Sequence, residues 1–108
     1  MLNAWEQYCH FICDTMTKDQ SPKALLQIRG QLYELLTSCI PGDVIMKTFV
    51  ARLSQILKGH DDMTQRVVHM ASHYDRQLRI GNKEIYHLEA FCARFMADYK
   101  GWVIRQQS

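Results

Sequence analysis

Chain-breaking residues are scarce: 108 residues contain only 2 prolines and 5 glycines. That scarcity argues against turn-rich β architectures and favours helices. No apolar run approaches the roughly 20 residues of a membrane span, so no membrane contact is expected. Met1 to Trp5 lacks the basic start and long apolar stretch of a secretory signal. There is no C-x-x-C pair, although four cysteines are present. Cys9 and Cys13 fall one turn apart, and Cys39 and Cys92 sit in apolar stripes. All four are expected to be core thiols in a reducing compartment rather than disulfides. Phosphate-cradling G-x-x-x-x-G-K-[ST], G-x-G-x-x-G and G-x-S-x-G motifs are all missing, which leaves no sign of nucleotide or hydrolase chemistry. Charge of one sign does not dominate either. The net charge is +2, short of the strongly basic balance typical of nucleic-acid binders.

What the chain does have is apolar residues at helical spacing. They make up much of a 47% hydrophobic fraction, enough for one core in one domain over residues 1–108. Asn3 followed by Glu6 reads as a capping box opening a first helix with Trp5, Cys9, Ile12 and Met16 inward. Lys18 to Gln20 reads as a short connection. Ser21-Pro22 then supplies an N-cap and a first helical residue for a second helix. That helix carries two adjacent stripes, Leu25, Ile28, Leu32, Leu35 and Cys39 beside Leu26, Tyr33, Leu36 and Ile40. Together they cover about half its circumference, so it is expected to touch several neighbours. Its end is expected near Cys39.

Pro41-Gly42-Asp43 starts a third helix, with Ile45, Phe49, Leu53 and Ile56 inward. Gly59 reads as a left-handed helix end, and Asp61 and Asp62 suit the next N-terminus. A fourth helix puts Val67, Met70, Ala71, Tyr74 and Leu78 inward, ending at Gly81-Asn82. The fifth has Ile85, Leu88, Cys92, Phe95 and Tyr99 on one face and Tyr86, Ala90, Ala93 and Ala97 on another. Gly101 to Ser108 is expected to fray. The fold class is therefore all-α: a compact bundle of about five helices with short antiparallel connections. The second and fifth helices are expected to form its core.

Few groups converge as chemistry requires. His69 and His73 share a helix face at metal-ligand spacing, but third and fourth ligands are missing and Met70 stands where a zincin motif needs glutamate. Arg66, His69, His73 and Arg76 form a basic stripe on the fourth helix, with Lys83 beyond. Such a stripe is a solvated face or a salt-sensitive contact for acidic proteins or nucleic-acid phosphates. Arg29 projects from the apolar arc of the second helix, where it either snorkels or pairs with another chain. Gly30 beside it costs about 1 kcal/mol in a helix, a cost that close approach by a neighbour would justify.

The run from Arg29 through Gln31, Leu32, Tyr33, Glu34 and Leu35 to Pro41, continuing over Val44, Ile45, Met46 and Lys47, resembles the collar domain of replication factor C small subunits. Its strongest likeness is to the subunit 3 branch. Ile85 to Phe91, with Ala93, Phe95 and Met96, agrees, and the resemblance spans about Trp5 to Tyr99. It implies a helical collar that holds a heteropentameric clamp loader together in the nucleus. The implied partners are the other replication factor C subunits and, through the parent complex, the sliding clamp and primer–template DNA. The family's ATPase module would precede this domain, so its ATP and Mg2+ have no residues here to receive them, and neither catalysis nor a bound cofactor is expected of this chain. Gly42 departs from the second proline that many relatives carry there. Interface residues are expected at Arg29, Tyr86, His87 and Glu89 within the matching blocks, and at Arg76 and Arg94 by helical position. The rival expectation is a stand-alone nucleic-acid-binding module using the basic face of the fourth helix.

Overall fold

The computed structural model describes residues 1–80 and 83–107. Five helices account for nearly all of them: α1 (Ala4–Lys18), α2 (Pro22–Thr37), α3 (Gly42–Ile56), α4 (Asp61–Ile80) and α5 (Glu84–Gln106). There is no strand among the described residues. The radius of gyration, 13.2 Å, is that of a single tightly packed body of this length. The expected helix end at Gly81-Asn82 lies outside the described residues.

Local chemistry sets most boundaries. The Asn3 side chain accepts the Glu6 amide at 3.0 Å while the Glu6 carboxylate accepts the Asn3 amide at 3.3 Å, closing a reciprocal capping box on α1. Ser21 Oγ accepts the Ala24 amide, and Pro22 follows at a position whose N–H no helix partner could have used. Gly59 adopts φ +91°, the left-handed conformation that glycine tolerates best.

The end of α2 differs from the expectation. Cys39 is exposed and sits at φ 66° rather than in the core. Its amide donates to the Leu36 carbonyl at 3.0 Å, and the Ile40 amide donates back to Leu35 at 3.2 Å. This paired closure needs one left-handed residue just past the helix, usually glycine. Helical stepping put Cys39 on the inner stripe, but α2 has already ended at Thr37.

The core is centred on α5, which packs on all four other helices. Phe91 stacks on Phe49 of α3 at 6.5 Å and meets Tyr74 of α4 edge-on at 6.4 Å. Ile12, Met16, Ile28, Leu32, Leu53 and Met63 close around them without solvent exposure. Helix α2 is an outer wall, against expectation. Its main neighbours are α1 and α5, and they leave Leu26 and Tyr33 of its second stripe exposed.

At the ends of α5 one expectation is corrected and the local turn at Gly42 is explained. Residues 101–106 are helical, not frayed, because Trp102 is buried and its Nε1–H donates to the Asp62 carboxylate at 2.9 Å. That bond, first among the causes, holds the Asp62 carboxyl below its ordinary pKa. At the other end, the Gly42 N–H donates to Glu84 Oε1 at 3.3 Å, a bond that proline could not make. A Cβ on Gly42 would lie 3.2 Å from Glu84 and Leu78, so glycine lets the starts of α3 and α5 approach.

Candidate protein-contact face

The uncovered stripe of α2 lies beside α5. On α2, Leu26 is 68% and Tyr33 44% exposed and Leu36 of the same stripe is half-buried, while Ile40 lies past the end of the helix. On α5, Tyr86 is 52% exposed. The alanine stripe of α5 also stays open, with Ala97 exposed and Ala90 and Ala93 half-buried. Isolated exposed apolar residues need no explanation, but several on adjoining helices mark a contact surface.

An ion pair crosses this face. Arg29 Nε stands 3.6 Å from Glu89 Oε2. The Arg29 guanidinium also lies 5.9 Å from the Tyr33 ring centre, and Lys83 Nζ lies 5.4 Å from that of Tyr86. Hydrogen bonding to Tyr33 and then the charge of Glu89 raise the Arg29 pKa further above its ordinary value. Each tyrosine thus has a cation beside it, which makes the surface amphipathic.

Of the six expected interface residues, the structure brings Arg29, Tyr86 and Glu89 together here. Arg29 finds its carboxylate within its own chain, whereas the expectation allowed a partner from another. His87 and Arg94 lie elsewhere on α5, about 100° and 140° round the helix from Tyr86 and Glu89 respectively. Arg76 is exposed on α4 with Arg66, His69 and His73. The His73 ring packs edge-on against Tyr74 at 4.8 Å. Among the described residues no three His, Cys, Asp or Glu side chains form a metal-holding group. Leu26 and Tyr33 were not among the expected interface residues, although membership of the second stripe was signal enough. Gly30 is exposed, and a Cβ there would meet nothing within 4 Å. No neighbour among the described residues accounts for it.

The fold is a small all-α domain that leaves apolar and aromatic side chains exposed on two adjoining helices. The family is more specific. The model of replication factor C subunit 3, C-terminal domain, matches residues 5–103, and the chain belongs to that family. It is 46% identical to replication factor C subunit 3 of Arabidopsis thaliana over 101 residues, covering 93% of this chain and 28% of the relative. Identity to replication factor C subunit 5 of Oryza sativa subsp. japonica is 43% over 100 residues, covering 93% and 28%. Against replication factor C subunit 3 of Homo sapiens it is 46% over 97 residues, covering 89% and 26%. The chain therefore spans little more than a quarter of the length of these relatives. No helix among the described residues is long and apolar enough to cross a membrane.

Proposed function

We propose that this chain is the oligomerisation module, or collar, of a replication factor C subunit. In this reading it joins sibling subunits into the heteropentameric clamp loader that places a sliding clamp on primer–template DNA in the nucleus. One observation carries the reading. Leu26, Tyr33 and Tyr86 lie exposed on adjoining helices around the Arg29–Glu89 pair, in a domain whose family is defined by replication factor C subunits. Exposed aromatic and arginine side chains at the centre of an otherwise ordinary surface are the residue types that carry most binding energy between proteins.

The chain's part is binding, with nucleotide and Mg2+ chemistry supplied by the ATPase module of the parent protein. Its membership of a C-terminal domain family agrees with that division of labour. The test is to mix the purified chain with sibling replication factor C subunits and weigh the products by native mass spectrometry. Stoichiometric heteromers are expected. A chain that stays monomeric with every sibling, yet binds primed DNA by itself in low salt, would overturn the proposal.

A further inference from the structure

A second surface lies on the other flank of α2, where it meets α1. A groove of about 710 Å³ opens there, lined chiefly by Trp5, Tyr8, Glu34, Leu35, Ser38 and Ile40. Its walls are aromatic and aliphatic, and Glu34 is the only ionised side chain among the described residues that line it. The Tyr8 hydroxyl donates to Glu34 Oε2 at 2.9 Å, orienting the carboxylate. Burial, then that bond, pushes the Tyr8 phenol up to about 12, so it remains a donor at any physiological pH.

The backbone adds charge of the same sign. The C-terminal end of α2 faces this groove at Leu35 and Ser38; the Ile40 and Cys39 amides cap its Leu35 and Leu36 carbonyls, but no basic residue stands in its last turn, so the residual end charge is negative. Asn3 and Ala4, at the rim, belong to the N-terminus of α1. The capping box occupies the Asn3 and Glu6 amides there, and the Glu6 carboxylate offsets the end charge. The groove is thus apolar along its walls and negative at one end.

The geometry points to this groove as the seat of a basic segment of a partner protein, one that sets an arginine or lysine head on Glu34 and lays an aliphatic neighbour between Trp5 and Ile40. Charge complementarity selects that occupant over an acidic or wholly apolar one. An aromatic wall beside a carboxylate suits a cation with a long apolar stem, since the stem buries against the rings while the head keeps its charge partner. The site is separate from the α2/α5 face, and its test does not depend on that face binding anything.

The isotope-labelled chain would be titrated with an acetylated, amidated pentapeptide carrying arginine between leucines, and with its citrulline twin. Assigned amide and indole resonances report the site. Saturable shifts are expected at Trp5, Glu34 and Ser38 but not at the Trp102 indole, which is already engaged by Asp62. Replacing arginine by citrulline, or Glu34→Gln in the chain, should weaken binding about tenfold, as loss of a charge-assisted contact does. Glu34→Gln should leave the melting temperature unchanged and Glu34→Asp should bind nearly as the parent does. Equal affinity for arginine and citrulline peptides would make this a merely apolar cleft and overturn the inference. So would no saturation up to about 10 mM, a weakness beyond useful recognition. Shifts of the same resonances on raising the chain's own concentration would assign the groove to a second copy and also overturn it.

Discussion

Leu32 and Leu26 are on the same helix, six residues apart, and have opposite fates. Leu32 is fully buried among α1 and α5 side chains, while Leu26 is left largely in solvent. The two stripes of α2 are similar in sequence, so hydrophobicity alone does not separate them. Position does: α1 and α5 cover one side of α2, and Leu26 and Tyr33 of the other stripe point away from both. One stripe holds the domain together, and the proposed function assigns the other to partners.

The difference can be broken or sharpened by substitution. Leu32→Ala should cost about 2–5 kcal/mol of folding stability, because it empties a core site. Leu26→Ala should stay within about 0.5 kcal/mol, as surface changes do. Urea unfolding of both variants checks the pair, and equal losses would erase the distinction. On the partner side the order reverses. Tyr86→Ala should leave stability nearly unchanged yet weaken association with sibling subunits by about 2 kcal/mol, the scale of an interface anchor, measured by titration calorimetry.

Two smaller effects probe the middle and the end of α2. Gly30→Ala should stabilise the isolated chain by about 0.5–1 kcal/mol, since alanine is the better helix former and the added methyl meets open space. Cys39→Gly should raise stability by up to about 1 kcal/mol by relieving the left-handed strain at φ 66°, less the entropy that glycine adds to the unfolded chain. Thermal melts resolve either change, and a loss of stability in Cys39→Gly would contradict the account of that helix end.

The thiols repeat the inner and outer contrast. Burial, with Glu6 adding, pushes Cys9 up to about 12 from its ordinary 9.0, and burial raises Cys13 and Cys92 as well. Above about pH 9 the unfolded chain loses protons that the folded chain keeps, so stability should fall as pH rises from 9 towards 12. Denaturation midpoints between pH 7 and 11 test the sign. A thiol reagent at pH 8 should meanwhile label exposed Cys39 well before the other three.

Much of the fold was legible because helix ends carry local chemistry. Asn3 with Glu6, Ser21 with Pro22, and Gly59 each act through neighbours three or fewer residues away. What was not legible depended on contacts distant in sequence. The last turns of α5 read as frayed because nothing near Gly101 announces that Trp102 reaches Asp62, forty residues earlier. Cys39 fitted a periodic stripe that gave no hint of where the helix stops. Half of the expected interface residues, Arg29, Tyr86 and Glu89, converge because α2 and α5 pack side by side. Arg76, His87 and Arg94 lie on other faces, and sequence position did not say which of the six would be neighbours. The Trp5–Tyr8–Glu34 groove draws on two helices and was invisible for the same reason.

The most direct test is sedimentation velocity of sibling replication factor C subunits mixed with the parent chain or with the Leu26→Ser, Tyr86→Ser double variant. The account predicts a fast heteromeric boundary with the parent chain and its loss with the variant, whose own helix content and melting stay near the parent's. An undiminished boundary from the well-folded variant would contradict the assignment of the outer stripe to partners.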